Sequence, residues 1–410
     1  MKSLYKFFLV SLPIIINTLS LEAQTETESA TKLSPKEFSI PASPVFDMMG
    51  VTPSQINKTS DIKDFKVDWS FKSYKVSPNL AIESQPFWEI FYNRKPISKY
   101  QQASKFMRFL SSTDFSLGTV QNENAERRMG YAVKMSLFKS KDPLLDGEIY
   151  EGIDEKFTSE KEELIKKITE INIKLDSSKN ILERPSIKQE LRQTEESLLG
   201  IETRRRQEIN DRAKVFIAEY WNSSYVDMAF GKVNTYQTDS IGSLKSLKLN
   251  RNTGLSGWLN GGIGAGKRLF ISSLIRGSWY EEELNFNLMN STTQEITTEE
   301  AIASNTLLTL GLNIRYGGPV YNFFAEFFHE RKGIKTASEA LSRVFSTPQG
   351  MSLISSSVKW DIVHPYVLAI GGDWRISRSV AINYGLRATF DKKWTLNSLT
   401  PLVSIACMMR

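Results

Sequence analysis

Strict alternation of apolar and polar side chains dominates the second half of the chain. In residues 380–390 every even position is apolar or aromatic, and the odd positions include Asn383 and Arg387. Residues 306–316 repeat this pattern, with leucines at alternate positions and Arg315 on the other face. A period of two over about ten residues is typical of a tilted membrane strand with lipid on one face and a polar lumen on the other. The pattern predicts a transmembrane β-barrel.

Thirteen segments carry such a pattern. The first two, 65–71 and 80–91, form a predicted hairpin. The others are 105–119, 129–139, 223–234, 254–266, 268–280, 304–317, 319–331, 352–361, 365–377, 379–391 and 397–409. Because single-chain bacterial barrels have even strand numbers, one segment is spurious or one is missed. The sequence predicts an all-β antiparallel barrel of 12 strands, or alternatively 14, with strands 1–4 in 64–140 and the remaining strands in 223–410.

The period changes between the fourth and fifth predicted strands. From 154 to 214, 28 of 61 residues are charged. Apolar residues step by four, three and four at Leu164, Ile168, Ile171 and Leu175. This spacing predicts an amphipathic helix that Pro185 ends. The apolar seam then resumes, so we expect an antiparallel helical hairpin at 154–219, with helices at 156–183 and 186–219, standing in water outside the bilayer.

The N-terminus has the pattern of a secretory signal peptide. Lys2 and Lys6 precede an apolar run at 7–16, and a cleavage point after Ala23 gives a signal peptide of 1–23. Leu21 stands where a small residue is usual, which leaves an uncleaved anchor as the alternative. Residues 24–63, rich in Ser, Thr and Pro, predict an extended periplasmic lead. Since no later apolar run approaches 18 residues, a chain that remains in a membrane does so as a barrel, and we expect the outer membrane.

Composition narrows the chemistry more than it identifies the fold. A hydrophobic fraction of 40% and a mean hydropathy of −0.30 suit a soluble protein equally well. One cysteine, Cys407, and two histidines, His329 and His364, form no Cys/His cluster at metal-ligand spacing, so we expect no metal and no cofactor. A net charge of +6, without a basic stretch interleaved with aromatic residues, argues against a nucleic-acid partner.

The glycine-rich stretch 261–268 has the glycine and lysine spacing of a phosphate-binding loop. Arg268 occupies the place of the magnesium-binding Ser or Thr, and residues 269–279 continue as strand rather than opening a helix. We therefore interpret 261–267 as the end of one strand and a tight turn into the next.

The polar face of the predicted strands collects charged side chains that we expect to line the lumen. With the amides of Asn313 and Asn383, they are Arg276, Arg315, Glu326, Asp373, Arg375 and Arg387. An excess of arginine would favour anions in a solute path. The alternative is a lumen packed by pairs of arginine and acidic side chains, and the sequence does not separate the two.

Several short stretches resemble uncharacterised outer-membrane β-barrel proteins of the Bacteroidetes. They are IPASPVF at 40–46, GVTPSQI at 50–56, NLAIE at 79–83, PFW at 86–88 and WNSS at 221–224. The stretches cover about a tenth of the chain, and the resemblance implies a barrel but no catalytic or binding residue. The chain departs from barrels that end in an aromatic residue, because it ends Cys-Met-Met-Arg at 407–410.

Three functional hypotheses follow. The first is a monomeric outer-membrane barrel in contact with lipid, acting as a narrow channel, a solute-binding protein or a scaffold without catalytic activity. The second is a barrel that anchors the helical hairpin for a periplasmic or surface protein partner. The third is an outer-membrane hydrolase, which would need His329 or His364 as its base.

Overall fold

The computed structural model describes residues 42–57, 65–72, 79–92, 97–121, 127–177, 183–237, 248–332, 350–356, 365–377 and 379–409. The predicted signal peptide lies outside the described residues. The strands are β1 (Phe65–Lys72), β2 (Asn79–Ser84), β3 (Asp114–Gln121), β4 (Arg127–Lys139), β5 (Tyr225–Gln237), β6 (Lys248–Ala265), β7 (Leu269–Asn290), β8 (Ile296–Gly317), β9 (Tyr321–Lys332), β10 (Met351–Ser356), β11 (Tyr366–Arg375), β12 (Val380–Phe390) and β13 (Leu396–Met409). The helices are α1 (Pro44–Met49), α2 (Pro86–Phe91), α3 (Ile97–Gln101), α4 (Lys105–Ser111), α5 (Gly147–Tyr150), α6 (Ile153–Ser177), α7 (Arg184–Leu199) and α8 (Ile201–Tyr220).

Twelve strands close into an antiparallel barrel. Neighbours along the chain pair in order, β9 pairs with β11, and β1 pairs with β13 to close the sheet. β10 pairs instead with the far part of β7, from Phe286 to Asn290, beyond the residues through which β7 pairs with β6. The predicted 12-stranded barrel is confirmed. The extra predicted segment, 352–361, contains β10, which stays outside the barrel wall.

The barrel wall presents apolar side chains outward and polar side chains inward. On β8, Leu310 and Ile314 are 43% and 44% exposed, whereas Asn313 between them is fully buried. Two outward aromatic residues of β11, Tyr366 and Trp374, stand eight residues apart. At about 3.3 Å per residue and a tilt of about 40°, they bound a band about 20 Å tall, close to the apolar band of a transmembrane barrel. Among the described residues, no helix is long and apolar enough to cross a membrane.

The two ends of the barrel differ. We call the end where Phe65 of β1 pairs with Met409 of β13 the near end, and the opposite end the far end. The near end has three short turns, at 266–268, 318–320 and 376–379, and two long insertions, at 85–113 and 140–224. At the far end β7 and β8 run together about ten residues past the end of their pairing with β6 and β9.

Two predicted strands are partly helical. In the segment predicted as 80–91, β2 ends at Ser84, and Pro86 stands in the first turn of α2. In 105–119, Ser104 caps α4 by accepting a hydrogen bond from the backbone N–H of Met107 (3.3 Å), and β3 begins only at Asp114. Of the apolar side chains that suggested longer strands, Trp88 packs into a separate cluster with Tyr92, Tyr100 and Leu144, whereas Ile90, Phe91 and Phe106 are exposed. Local helix signals therefore override a weak period of two.

The helical insertion follows its prediction with two differences. The first helix, α6, begins at Ile153 rather than at 156, and the helix predicted at 186–219 is divided at Gly200 into α7 and α8. Residues 178–182 of the predicted hairpin lie outside the described residues. The helices also bury more than each other's seam. Ile153 and Phe157 of α6 and Phe216 of α8 share a cluster with Ala381, Ala406 and Met408 on the inward face of β12 and β13. The base of the insertion thus covers part of the near opening.

Removal of the tip of the insertion should leave the barrel intact. Glu160 and Arg204 form an ion pair (2.5 Å) between α6 and α8, so a short glycine linker can replace residues 161–203. Because Ile153, Phe157 and Phe216 remain, we expect the faster migration of unboiled protein on a denaturing gel to persist. The matched control, Ile153→Asp, buries a carboxylate in the cluster and should lower the unfolding midpoint. Loss of the fast band in the deletion variant would show that the tip is required for folding.

Candidate functional site: the closed lumen

The lumen is occupied by the chain's own N-terminal segment. Residues 42–57, which we call the plug, lie among inward-facing side chains of the wall, and Val45 and Phe46 are fully buried. Pro44 stands in the first turn of α1, and Gly50 ends it with a left-handed backbone (φ 68°). The prediction of an extended periplasmic lead over 24–63 is therefore wrong for this segment, because short apolar and hydroxyl side chains find partners inside the barrel. Residues 24–41 and 58–63 lie outside the described residues.

One buried carboxylate binds the second part of the plug, residues 52–57. Glu326 of β9 is fully buried. It accepts hydrogen bonds from the Ser54 hydroxyl (2.5 Å) and from the backbone N–H groups of Gln55 (3.0 Å) and Ile56 (3.1 Å). The side-chain amide of Asn313 on β8 donates a fourth (2.6 Å). A buried charge with this many donors is stabilised in place, so Glu326 fixes the plug to the wall.

Arginine side chains hold the plug from other directions. Arg387 of β12 donates to the backbone carbonyls of Gly50 (2.6 Å) and Thr52 (2.7 Å). The side-chain amide of Gln55 lies between the guanidinium groups of Arg276 and Arg387. These bonds satisfy carbonyl groups of a segment that has no strand partner, which is a requirement for buried backbone.

Arg315 of β8 joins the plug to a second acid of the wall. It donates to the Ser54 hydroxyl (2.5 Å) and the Asn57 side-chain oxygen (3.0 Å), and it forms an ion pair with Asp373. Asn57 is thereby fixed at the end of the plug. Its carbonyl also accepts from Asn260 (2.7 Å) and from Lys134.

The first part of the plug, residues 42–51, is bound by β1 and β3. Asp68 accepts from the backbone N–H (2.7 Å) and the hydroxyl of Ser43, and the Ser116 hydroxyl accepts from the backbone N–H of Val45 (3.1 Å). Ser70 donates to the carbonyl of Val51. Because Ser43 and Asn57 both bond wall residues in the near half of the barrel, the plug is a re-entrant loop that enters and leaves at the near end.

Glycines on the inward face make room for the plug. A Cβ atom at Gly118 would lie 2.8 Å from Val45 Cγ1, one at Gly130 would lie 2.8 Å from Met49 Cε, and one at Gly231 would lie 2.7 Å from Met48 Sδ. On the other side of the barrel, a Cβ atom at Gly311 would lie 2.9 Å from Ile56 Cδ1. These distances are shorter than van der Waals contact, so the wall is shaped to the plug.

The six residues predicted to line the lumen all lie on the inward face, in different roles. Arg276, Arg315, Glu326 and Arg387 contact the plug, and Asp373 reaches it through Arg315. Arg375 instead donates to the carbonyl of Ser377 in the turn that follows its own strand (3.2 Å). The two sequence hypotheses were a solute path and a lumen packed by arginine and acid pairs, and neither included the plug.

Several partners of the plug were missed in the sequence. Asp68, Ser116, Lys134 and Asn260 lie on polar faces of strands that were predicted, but nothing separated them from other polar residues. The available signal was the resemblance at 40–46 and 50–56, since most of those residues form the plug.

The glycine-rich stretch at the near end is a turn, as interpreted from its sequence. β6 ends at Ala265, Gly266 has a left-handed backbone (φ 66°), and β7 begins at Leu269. Asn222 donates to the carbonyls of Gly266 (2.7 Å) and Leu269 (2.9 Å), and Trp221 donates to that of Lys267 (2.9 Å). The turn carbonyls thus bind the end of the helical insertion.

Exposed ion pairs cross between α6 and α8. Arg205 pairs with Asp154 (2.6 Å). Glu208 accepts from Lys156 (2.5 Å) and Arg212 (2.9 Å), and these two hydrogen bonds hold the pKa of Glu208 below its usual value. Exposed pairs stabilise a fold little, so their main effect is on the register of the two helices.

His329 stands on the lipid-facing side of the barrel rather than in the lumen. Its ring stacks on that of Tyr366 (5.3 Å), which in turn stacks on Trp394 (4.5 Å). Such a row of rings is typical of the aromatic girdle at a membrane surface. His364 lies outside the described residues.

Solved outer-membrane barrels are similar to this chain in architecture at low identity. The Acinetobacter baumannii outer membrane protein Omp33 is 7% identical, with 85% of this chain and 98% of that chain covered and a TM-score of 0.27. The translocator domain of the autotransporter NalP from Neisseria meningitidis is 8% identical (89% and 93% covered, TM-score 0.31). The Ralstonia pickettii toluene transporter TbuX is 7% identical (94% and 100% covered, TM-score 0.28). No protein-family model and no characterised protein matches the chain in sequence.

These similarities are too low to support an argument about function. The assignment rests on the chain's own geometry: a closed antiparallel sheet, an apolar outer band with aromatic rings at its edges, and a polar interior. A sheet of this kind is stable in lipid because every wall strand is paired on both sides. The chain is a 12-stranded outer-membrane β-barrel.

Replacement of Glu326 should loosen the plug. In Glu326→Ala, the Ser54 hydroxyl, the N–H groups of Gln55 and Ile56 and the Asn313 amide all lose a buried acceptor. We expect the free energy of unfolding in detergent and urea to fall by about 3 kcal/mol or more. The control is Glu295→Ala, at an exposed carboxylate of the far-end turn. Equal unfolding midpoints for the two variants would contradict the anchoring role.

Proposed function

We propose that the chain is a monomeric outer-membrane scaffold, without catalytic activity, whose lumen is closed by its own plug. The observation that carries this proposal is the set of buried hydrogen bonds from wall strands on opposite sides of the barrel to residues 42–57. A solute that crossed the barrel would have to displace the plug and leave buried charges without partners, which is costly. A scaffold needs only the rigid wall and the elements attached to it.

A gated narrow channel is the second candidate. It is favoured by one feature of the plug: both of its ends lie toward the near end, so the segment can leave the lumen as one unit without threading through the barrel. Arg276 and Arg387 would then face an aqueous path and favour anions.

The absence of catalysis is part of the proposal. Apart from Arg375, the charged lumen residues named above contact the plug directly or, for Asp373, through Arg315. His329, the candidate base in the described part of the chain, stacks among outward aromatic residues. The third sequence hypothesis, a hydrolase, finds no support in this arrangement. We also propose that the chain groups with the Bacteroidetes barrels that it resembles, since the segments that carry the resemblance include the plug and the Trp221–Asn222 contact to the turn at 266–268.

The helical insertion is the surface that we propose for a protein partner, on the periplasmic side. Bacterial barrels have short turns in the periplasm and longer strands and loops outside. Apart from the insertions at 85–113 and 140–224, the near end has turns of three or four residues, and it holds the first residue of β1 and the last residue of β13. At the far end, β7 and β8 extend beyond the other strands. We infer that the near end, and with it the insertion, faces the periplasm. No nucleic-acid partner is proposed.

Single-channel recording tests the closed lumen. We expect wild-type protein in a planar bilayer to show no steady conductance, and Gly118→Val to conduct, because the valine occupies the space of Val45. Gly277→Ala is the control, since a Cβ atom there lies no closer than 3.9 Å to another residue. Steady conductance by the wild type would overturn the proposal. If the Gly118→Val variant does not conduct although protease cleaves its plug, the channel is excluded and the scaffold remains.

Cysteine labelling tests the orientation. In a Cys407→Ser background, Lys393→Cys marks the exposed far-end turn between β12 and β13, and Leu199→Cys marks the insertion, where Leu199 is 83% exposed. A membrane-impermeant maleimide applied to intact cells should modify residue 393 and not residue 199. Both should react once the outer membrane is permeabilised. Labelling of residue 199 in intact cells would place the insertion on the cell surface.

A further inference from the structure

The described residues of the insertion between β2 and β3, 85–92 and 97–113, pack beside the barrel wall. We call residues 85–113, which contain α2, α3 and α4, the near-end collar. The rings of Trp88, Tyr92 and Tyr100 contact one another with centroids 5.2 to 5.6 Å apart, and Leu144 completes their cluster. The Tyr100 hydroxyl donates to Asp142 (3.2 Å). The collar is therefore tied to the segment that follows β4.

The collar leaves large apolar side chains uncovered. Ile90 and Phe91 of α2 are 71% and 41% exposed, and Phe106 of α4 is 66% exposed. These three side chains do not belong to the cluster of Trp88, Tyr92 and Tyr100, so packing of that cluster does not explain why they are exposed. Large apolar side chains exposed on two contacting helices mark a surface that meets something other than water.

The exposed surface continues from the lipid-facing wall. Phe115 is an outward residue of β3, 38% exposed like the other lipid-facing positions, and the Phe87 ring of α2 lies 6.3 Å from it. Leu117, the next outward residue of β3, is 63% exposed. The apolar band of the barrel thus runs without a break onto the collar.

The collar has an excess of basic residues beside its exposed apolar residues. Residues 85–113 contain five basic residues and a single acid, Glu89. Lys99 and Lys105 are exposed, and Lys105 neighbours Phe106. Basic residues beside apolar ones are typical of a segment that lies in the boundary between lipid headgroups and acyl chains.

We propose that the near-end collar is an interfacial membrane anchor. Ile90, Phe91 and Phe106 enter the acyl boundary of the leaflet at the near end, and Lys99 and Lys105 meet the phosphates of anionic lipids. The occupant of this surface is therefore lipid and not a protein partner. The proposal rests on the membrane barrel and is independent of whether the lumen opens.

Nitroxide labelling separates lipid from water at each position. In a Cys407→Ser background, cysteines replace Ile90 and Phe106, with Leu310 as the lipid-facing control and Leu199 as the aqueous control. Each variant is reconstituted in vesicles of phosphatidylethanolamine and phosphatidylglycerol, after its heat-dependent gel shift has shown that it is folded. Collision rates with molecular oxygen and with a neutral nickel chelate are then measured.

We expect positions 90 and 106 to favour oxygen over the nickel chelate, like position 310. A preference for the chelate equal to that at position 199 would overturn the proposal. A second measurement uses vesicles of phosphatidylcholine alone. Access of the chelate to position 106 should rise there, because the anionic phosphates that attract Lys105 are diluted. Unchanged access of the chelate would overturn the role of the basic residues. If a bound protein rather than lipid covered position 106, access of the chelate would not depend on the lipid composition.

Discussion

Filling the interior of a 12-stranded barrel is the constraint that governs the arrangement of its other elements. Eight strands enclose a space that their own inward side chains fill, and twelve strands enclose a wider one. In this chain a separate segment, residues 42–57, takes up that space, and the wall has adapted to it. Glycines stand where the plug approaches most closely, and Glu326 and Arg387 stand where its backbone needs partners. The plug and the wall therefore form one core.

The polar character of this core has consequences for function. Buried charges are stable only when they are paired or hydrogen-bonded, and here the plug supplies partners for Glu326, Arg315 and Arg387 of the wall. The plug cannot shift by a small distance without breaking several bonds at once, which favours two discrete states, closed or released. The helical insertion adds a second cover at the near end, where Phe157 and Phe216 pack against Ala406 and Met408. Two independent covers are easier to reconcile with a scaffold than with a freely open pore.

The strands were predictable because their signal is local. Leu310, Ile314 and their neighbours alternate with polar residues, since each outward position meets lipid and each inward position meets the interior. The same logic failed at 80–91 and 105–119, where Pro86 and the cap at Ser104 start helices within an apolar stretch. β10 also carries a true β pattern, and only its pairing with the far part of β7 removes it from the wall.

Local sequence patterns were sufficient to predict most of the wall, the helical insertion, the turn at 266–268 and the inward position of six charged residues. Each of these follows from residues a few positions apart. The partners of those charged residues are set by the closed barrel and could not be predicted from local patterns. The Ser54 hydroxyl and the Glu326 carboxylate are 272 residues apart in the chain, and no local period records that contact. The plug is a short segment of small polar and apolar residues without periodicity, so it acquires its place solely from the partners that the closed barrel brings around it.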